Sequence, residues 1–332
     1  MNDLVGLIDK ELREVFQGYS MPLYRIMSYH LGLEDTQGNI TTTVGRTRNY
    51  GLASLIVCSR LGGNIDTLMP AAASLELTSG FNQIHEDIEN GTPNRDGQDA
   101  VWWVWGPAQG INAGDGMHAL ARLVMLKIQE RGSPPDIAYK SIKLLDECSL
   151  NICVGRFTDL EAQERIDINV KSYLDMASRK TGSLYACAMQ LGALIGIPDS
   201  PYVESLGLCG TNLGIAIQVS NDIKAIWGSG ESKFEPNLEV LNKKKLLPVT
   251  YAIEIGDLKI KRRLGDIYFK RVLGQNDAVI IREILDETDA KTFCENIIQE
   301  KIADANKAID VFAREYDNST LVSDLFKYQD AK

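Results

Sequence analysis

The stretch from residue 70 to residue 97, PAAASLELTSGFNQIHEDIENGTPNRDG, constrains the fold most, because it places a polar stripe on an otherwise apolar helix. Pro70 suits a first helical turn, and no further breaker occurs before Gly91-Thr92-Pro93. The polar residues recur at helical steps and share one face: Ser79, Asn82, Gln83, Glu86, Asp87 and Asn90. Adjacent carboxylates repel one another, and a bound cation relieves that repulsion. A solvated outer face is the simpler alternative, but the Ala- and Leu-rich setting favours an interior metal site.

The composition indicates a soluble protein with a sizeable core. Of the 332 residues, 44% are hydrophobic and 24% are charged, and the formal net charge of −10 argues against a nucleic-acid partner. Six scattered cysteines without a CxxC pair, together with three histidines, argue against zinc and disulfides and for a reducing compartment. The N-terminus does not resemble a signal peptide, and no apolar run reaches the roughly 18 residues of a transmembrane helix. We therefore expect a cytoplasmic protein.

Helical spacing dominates the whole chain, and no convincing period-2 strand is found. Besides the helix that begins at Pro70, apolar periodicity predicts helices over residues 3–17, 46–61, 115–131, 136–154, 167–178, 183–196 and 203–226, and more between residues 247 and 312. Asp115 is expected to cap its helix. Because no Pro- or Ser-rich linker divides the chain, we predict one all-α domain over residues 1–332, a bundle of ten or more helices around a central cavity.

A second polar stripe lies on the predicted helix over residues 203–226. Gln218, Asn221 and Asp222 interrupt a run of core-like residues there, and a buried aspartate needs a partner. Two such stripes can face each other across a cavity, where carboxylate and amide oxygens suit Mg²⁺. Because Mg²⁺ often takes substrate phosphates as further ligands, basic residues are expected nearby. The candidates are Arg48, Arg95, Lys180, Lys233 and Lys245.

A series of short motifs then resembles, in order, the motifs of the trans-isoprenyl diphosphate synthases, the polyprenyl synthetase superfamily. The family's DDxxD motif corresponds to Glu86-Asp87-Ile88-Glu89-Asn90, and its RRG motif to Arg95-Asp96-Gly97. Its INAGD segment is kept at residues 111–115, and its Lys-Thr pair is Lys180-Thr181. The remaining motifs are kept in part, as Gly45-Arg46-Thr47-Arg48-Asn49, as Gln218, Asn221, Asp222 and Ala225, and as Lys233, Asn237, Lys245 and Pro248. The resemblance covers nearly the whole chain.

The resemblance implies an enzyme that holds an allylic diphosphate through Mg²⁺ ions. The metal ligands that it implies are Glu86, Asp87, Asn90, Asn221 and Asp222. It gives catalytic roles to Arg95, Lys180 and Asp87, and the substrate contacts that it implies are Arg48, Phe81, Arg95, Lys180, Gln218, Lys233 and Lys245. In the family, an aromatic residue five positions before the first acid shortens the chain pocket, so Phe81 implies a substrate of fifteen or twenty carbons. A homodimer is expected from the resemblance alone.

The departures from the family pattern concern the second pocket, where the family binds isopentenyl diphosphate. Positions that carry cations or donors in the family are Gly45, Ser79 and Asp96 here, and only Arg48 is kept. An aspartate that faces a diphosphate is electrostatically unfavourable. We therefore predict a Mg²⁺-dependent class I terpene synthase, which ionises a prenyl diphosphate and cyclises or quenches the carbocation in a water-free cavity.

Two alternatives stay open at this point. The chain could be a prenyltransferase or polyprenyl diphosphate synthase, which uses isopentenyl diphosphate in a reshaped pocket or a different acceptor. It could also be a non-catalytic subunit that regulates an active synthase, since acids are weakened in both metal motifs. Such a subunit has little need for Arg95 and Lys180.

Overall fold

The computed structural model describes residues 2–41, 47–165, 167–197, 199–228, 238–316 and 318–330. Gly45, Arg46, Lys233 and Asn237 lie outside the described residues. In chain order the helices are α1 Asn2–Phe16, α2 Pro22–His30, α3 Asn49–Arg60, α4 Ile65–Asn90, α5 Val101–Trp105, α6 Pro107–Leu126, α7 Pro135–Gln163, α8 Val170–Ala177, α9 Ser183–Gly196, α10 Val203–Trp227, α11 Leu238–Leu241, α12 Leu247–Ile255, α13 Leu258–Tyr268, α14 Gln275–Glu287, α15 Ala290–Ala308, α16 Asp310–Glu315 and α17 Leu321–Asp330. The all-α prediction is confirmed.

Two short elements interrupt the helices near the predicted site. A π-helical turn, Ser178–Gly182, joins α8 to α9. Between α4 and α5, strands β1 (Asn94–Arg95) and β2 (Gln98–Asp99) form an antiparallel hairpin. Asp96 and Gly97 make its turn with φ of 54° and 76°, the left-handed region that Asp-Gly favours in a type I′ turn. The sequence shows no period-2 pattern here, because two-residue strands are too short to have one.

The polar-striped helix begins five residues earlier than Pro70, because Asn64 caps it by accepting a hydrogen bond from the Asp66 amide at 2.9 Å. Pro70 therefore lies inside α4 and has no N–H to donate to the Asp66 carbonyl. Arg131 supplies the missing donor, since its Nη1 lies 3.2 Å from that carbonyl oxygen. The helix thus continues through Pro70 and ends at Gly91 in the left-handed conformation.

The start predicted at Asp115 is also wrong, whereas the boundaries of α9 and α10 are close to their predictions. α6 begins at Pro107, a residue whose fixed φ suits a first helical position, and Asp115 lies well inside that helix. The sequence from Pro107 to Asp115 contains two glycines and two alanines, and its one large apolar residue, Ile111, gives it little apolar periodicity. Its helical state follows from packing against α4 and not from its own pattern.

The buried apolar residues form three clusters, and α10 contributes to all of them. Leu206, Cys209 and Leu213 pack into the largest cluster, Ile215 and Val219 into another, and the end of the helix into a third. This central helix therefore links the N-terminal and C-terminal helices. The single-domain organisation stays a prediction. Among the described residues, no helix is long and apolar enough to span a membrane.

Candidate active site

Three cations and three carboxylates converge where the end of α4 meets the hairpin, α7 and the π-helical turn. Arg95 binds Asp87 with two nitrogens, Nε at 2.8 Å and Nη2 at 2.6 Å from Oδ1, and its Nη2 also lies 3.2 Å from Glu86 Oε2. Lys180 Nζ lies between two acids, 2.9 Å from Glu86 Oε1 and 2.8 Å from Asp159 Oδ2. Lys244 Nζ completes the group 3.8 Å from Glu86 Oε1, and it also donates to Glu239 Oε1 at 3.3 Å. We call the three cations together with Glu86, Asp87 and Asp159 the charge cluster.

The hairpin holds Arg95 in place. Its second strand is fixed to α2, because the Tyr29 hydroxyl donates to the Asp99 carbonyl at 2.9 Å and Gln98 Nε2 donates to the Tyr29 carbonyl at 2.8 Å. The left-handed turn at Asp96 and Gly97 then returns the chain beside the end of α4. Arg95 therefore reaches Asp87 and Glu86 from a short and well-anchored element.

The π-helical turn positions Lys180 against α7. π-bulges are rare, and they frequently occur at functional sites. The backbone of the turn lies so close to α7 that a Cβ on Gly155 would come within 2.7 Å of the Lys180 nitrogen. Gly155 thus permits the close approach that lets Lys180 reach both Asp159 of α7 and Glu86 of α4.

The charges of the cluster stabilise one another strongly. Burial disfavours each charged form, but Lys180, Lys244 and Arg95 outweigh this effect and hold the pKa of the Glu86 carboxyl well below its usual value. Despite burial, Lys180 and Lys244 also lower the pKa of Asp159. In turn Asp159 and Glu86 raise the pKa of the buried Lys180 ammonium. Glu86, Asp159 and Lys180 are therefore ionised around neutral pH.

The second polar stripe meets the same π-helical turn. Thr181 Oγ1 donates to Gln218 Oε1 at 2.6 Å, and Gln218 Nε2 donates to Asp222 Oδ1 at 3.1 Å. Asp222 Oδ2 accepts from the Leu247 amide at 2.7 Å, at the first residue of α12, and from the Tyr173 hydroxyl. Burial raises the pKa of Asp222 to about 7. Asp222 therefore serves here as a cap for α12.

Three other predicted site residues, Arg48, Asn90 and Asn221, lie outside the charge cluster. Arg48 is buried and binds Asp9 through Nε at 2.7 Å and the Leu31 carbonyl through Nη2 at 2.7 Å, which ties α1, α2 and α3 together. Asn90 accepts a hydrogen bond from Asn242 through its backbone oxygen at 2.8 Å, and Asn221 is half-buried on α10.

Lys245 and Phe81 also have structural surroundings of their own. Lys245 Nζ donates to the Gln163 carbonyl at 2.7 Å, lies 4.2 Å from the centre of the Tyr268 ring, and lines a cavity of about 310 Å³ beside α13. Phe81 of α4 is buried against α6, and its ring centre lies 5.0 Å from that of His118. The neighbouring Lys244, and not Lys245, faces Glu86.

Sequence reasoning missed Asp159, Lys244 and Arg156. Arg156 of α7 donates to the Asn82 carbonyl at 2.9 Å and to its Oδ1 at 3.1 Å, and it forms an ion pair with Glu89 of the first acidic motif. Arg156 and Asp159 lie three residues apart, so they share a helix face, a signal that a search for charged helix faces could have found. Lys244 offers no such signal within a run of three lysines.

The donor set of the cluster fits a hard cation by its chemistry, since Glu86, Asp87 and Asp159 offer carboxylate oxygens. Across the described ranges, however, no three acidic, histidine or cysteine side chains are arranged to hold a metal ion. In this arrangement Arg95 and Lys180 bind these oxygens. A metal ion requires these cations to take another partner.

Comparison with known proteins gives the family. The sequence model described as Polyprenyl synthetase matches residues 39–287, about three quarters of the chain. The chain belongs to the polyprenyl synthetase family. Geranylgeranyl diphosphate synthase of Mycobacterium tuberculosis is 30% identical to it over 245 residues, which are 73% of this chain and 68% of that one. Geranylfarnesyl diphosphate synthase of Aeropyrum pernix is 33% identical over 213 residues, 63% of this chain and 67% of that one.

Solved structures of polyprenyl synthetases have the same fold. The polyprenyl synthetase of Streptomyces coelicolor superimposes with a TM-score of 0.85 at 26% identity, covering 97% of this chain and 99% of that one. The polyprenyl synthase of Caulobacter crescentus, complexed with calcium and isoprenyl diphosphate, superimposes with a TM-score of 0.84 at 21% identity, covering all of this chain and 95% of that one.

These relatives overturn the prediction of a cyclising terpene synthase. The similar sequences are named as geranylgeranyl, farnesyl and geranylfarnesyl diphosphate synthases, which are prenyltransferases, so the prediction is wrong and its alternative fits better. Asp96 contributed most to the error. Its identity is explained by the left-handed turn of the hairpin, where Asp-Gly is favoured whatever the substrate.

Proposed function

We propose that this chain is a Mg²⁺-dependent prenyl diphosphate synthase, which transfers the prenyl group of an allylic diphosphate to isopentenyl diphosphate. The charge cluster carries the proposal. Arg95, Lys180 and Lys244 approach one small volume from three separate elements, and together they present the donors that a diphosphate requires. The names of the related synthases support the same reaction class.

The cluster suggests that binding proceeds by an exchange of partners. A diphosphate concentrates several charges and acceptor oxygens on one group, whereas each carboxylate that now neutralises Arg95 and Lys180 carries a single charge. The planar guanidinium of Arg95 can bridge phosphate oxygens. When these cations turn to the diphosphate, Glu86 and Asp87 are left with uncompensated charge in a buried site, and Mg²⁺ would then neutralise it. Asn90 and Asn221 remain proposed as weaker, neutral ligands, and Asp222 as a support for α12.

The catalytic role of these groups follows from where charge develops. As the bond between the allylic carbon and the diphosphate oxygen breaks, the electron pair stays with the diphosphate, and Arg95 and Lys180 stabilise that growing charge. Bound Mg²⁺ would supply Lewis-acid neutralisation of the same leaving group. The allylic carbon then forms a bond to the double bond of isopentenyl diphosphate, and a proton is lost from the adduct. The diphosphate is thus both bound and stabilised as a leaving group at the charge cluster.

The experiment is an acceptor-dependence assay. Purified protein is incubated with Mg²⁺, geranyl or farnesyl diphosphate and labelled isopentenyl diphosphate, and the products are separated by chain length. We expect a longer prenyl diphosphate that forms only when both substrates are present. A hydrocarbon or alcohol formed from one diphosphate, or an absence of any turnover, would reject the proposal.

A second candidate is a prenyltransferase with a different acceptor. Ser79 and Asp96 supply no cation for a second diphosphate, and Arg48 is occupied by Asp9 and Leu31. In the same assay this candidate predicts slow release of diphosphate from the allylic substrate that isopentenyl diphosphate does not stimulate. The two candidates share the charge cluster and differ only in the acceptor.

We also propose a homodimer, supported by an unpartnered apolar stripe on α7. Tyr139, Leu150, Val154 and Phe157 lie at helical positions i, i+11, i+15 and i+18, so they form one line, and all four are exposed. Leu123 and Leu126 of the adjacent α6 are exposed as well. A second copy of the chain would cover this face.

A cytoplasmic location is proposed because all six cysteines are free.

A further inference from the structure

The segment from residue 255 to residue 272 has the opposite charge to the rest of the chain. It contains six basic residues and two acidic ones, a surplus of four positive charges in a protein whose formal net charge is −10. The basic residues are Lys259, Lys261, Arg262, Arg263, Lys270 and Arg271, and the acidic ones are Asp257 and Asp266. This segment includes the whole of α13 and the turn that follows it.

Part of this charge is not neutralised within the molecule. Arg263 pairs with Glu287 at 2.6 Å, and Lys270 pairs with Asp277 at 2.5 Å. The other four basic residues form no salt bridge with any residue of the described ranges, and all four are exposed: Lys259, Lys261, Arg262 and Arg271. The segment therefore presents a positive surface to solvent.

Large apolar side chains project from the same surface. Leu258 is 87% exposed, and Phe269 and Val272 are each 77% exposed. Leu258, Arg262, Gly265 and Phe269 lie at positions i, i+4, i+7 and i+11, so they form one ridge along the outer side of α13. The opposite side is fixed inward, because Leu264, Ile267 and Tyr268 pack into a buried cluster. The ridge cannot turn inward without opening that cluster.

We propose that the outer face of α13, with the turn through residue 272, is a docking surface for anionic lipid headgroups at a membrane. Interfacial helices combine basic residues, which are attracted to anionic lipids, with aromatic and aliphatic side chains, which insert at the boundary between headgroups and acyl chains. Arg262 lies between Leu258 and Phe269 on the ridge, and Lys259 and Lys261 flank it. Asp257 and Asp266 are also exposed and oppose the attraction, but they are two acids against four unpaired basic residues.

The apolar ridge favours a lipid surface over a nucleic acid. Binding to a nucleic acid is dominated by phosphate contacts, which need basic side chains but leave exposed Leu and Phe side chains without a partner. A lipid surface accommodates both kinds of side chain. The proposal is independent of the reaction at the charge cluster, since no residue of the ridge belongs to that cluster.

The experiment is vesicle flotation with the full chain. We expect the protein to float with vesicles of phosphatidylcholine and phosphatidylglycerol, and to stay unbound with phosphatidylcholine alone. Leu258→Ser with Phe269→Ser should weaken binding by about tenfold or more. Lys259→Gln with Arg262→Gln removes two charges and should weaken it by about 30-fold. A matched control, Lys307→Gln with Val311→Ser, changes an exposed lysine and an exposed valine elsewhere and should bind as the wild type does.

Several outcomes would overturn the proposal. These are a lack of binding to the anionic vesicles, equal binding by the control and the ridge variants, or full binding by the Leu258→Ser, Phe269→Ser variant, which would indicate a contact with polyanions only. Circular dichroism and turnover of soluble substrate should be unchanged in all variants, because the substituted side chains are exposed. If one ridge variant loses its fold, the other pair of substitutions still tests the proposal.

Discussion

Lys244 and Lys245 are neighbours in sequence, but their ammonium groups lie in different surroundings. Lys244 Nζ lies 3.8 Å from Glu86, and Lys245 Nζ donates to the Gln163 carbonyl at 2.7 Å. They occur in an irregular segment between α11 and α12, where no periodicity tells which side chain points inward. The sequence prediction chose Lys245 for the substrate site. We propose its neighbour Lys244 for that site instead.

Replacement of each lysine by glutamine tests this assignment. Lys244→Gln should lower kcat/KM by about a hundredfold, because one charge that faces the diphosphate is lost. Lys245→Gln is the matched control and should change kcat/KM by less than about threefold, since its partners are a carbonyl and an aromatic ring. Steady-state kinetics with the allylic diphosphate varied gives both values. Equal effects of the two substitutions would contradict the assignment.

Asp222 should make the stability of the protein depend on pH. Its pKa is about 7 in the folded protein, against an ordinary value of 3.8, so the folded state holds a proton that the unfolded state releases. The stabilisation is complete below pH 3.8 and is lost as the pH rises through 7. From pH 5 to pH 8 the free energy of unfolding should fall by roughly 2 to 3 kcal/mol on this account.

The variant Asp222→Asn isolates this contribution, because an amide oxygen can still accept from the Leu247 amide but does not titrate. Urea unfolding at pH 5 and pH 8 gives the free energy of unfolding of both proteins. Its fall between these pH values should be smaller in the variant than in the wild type by roughly 2 to 3 kcal/mol. An identical pH dependence in both proteins would show that Asp222 is ionised throughout. Glu76, a second buried acid whose pKa is raised to about 7, is present in both proteins and provides a common background.

At the scale of elements, the π-helical turn connects the two polar stripes. Its Lys180 contacts Glu86 of α4, and its Thr181 contacts Gln218 of α10. No sequence pattern distinguishes this turn from a continuous α-helix, because its residues fit either geometry. The turn is set by close packing against α7 and α10, where Gly155 and Gly214 leave room for the backbone.

Gly155→Ala should therefore disturb the turn. The new methyl group would lie 2.7 Å from the Lys180 nitrogen, so the turn must move, at a cost of about 1 to 3 kcal/mol in stability and a loss of about tenfold or more in kcat. Gly6→Ala in α1 is the matched control, since nothing lies within 4 Å of its added Cβ, and it should stabilise the protein slightly. Unfolding and turnover measured together separate the two effects. Full activity in Gly155→Ala would show that the position of the turn is not critical.

Element boundaries could be predicted where an apolar pattern was regular and not elsewhere. The periodicity of α9 and α10 placed both helices within a residue or so, because both are buried and their apolar spacing is complete. The residue preferences of Pro70 and Asp115 predict helix starts there, and tertiary contacts overrule both. The hairpin was missed, although Asp96-Gly97 is a strong short-range turn signal.

At the scale of the whole molecule, the order of the motifs along the chain gave the fold and the family, but it did not give the reaction. Each departure at residues 45, 79 and 96 was interpreted as a change in substrate binding. In the structure, the left-handed backbone of the hairpin turn accounts for an aspartate at position 96. Arg48 forms a structural ion pair with Asp9. A residue type alone does not tell whether a side chain faces a ligand. The cluster around Glu86 required the three-dimensional arrangement.

The proposed dimer predicts that charge on the α7 stripe will separate the subunits. Leu150→Asp with Phe157→Asp places two carboxylates on a face that a second copy should cover, so the variant should be a monomer. Val311→Asp, at an exposed apolar position of α16, is the control and should keep the wild-type mass. Light scattering after size-exclusion chromatography measures this mass. A wild-type protein that is monomeric, or a double variant that stays dimeric, would contradict the prediction.

The exchange of partners at the charge cluster is tested most directly by Mg²⁺ binding with and without inorganic diphosphate. Isothermal titration, corrected for the Mg²⁺–diphosphate complex in solution, should show weak Mg²⁺ binding to the free protein and binding at least about tenfold tighter with diphosphate present. Lys180→Gln should strengthen Mg²⁺ binding to the free protein, because Glu86 and Asp159 lose their cation. Equally tight Mg²⁺ binding in the presence and absence of diphosphate, with no effect of Lys180→Gln, would contradict the account.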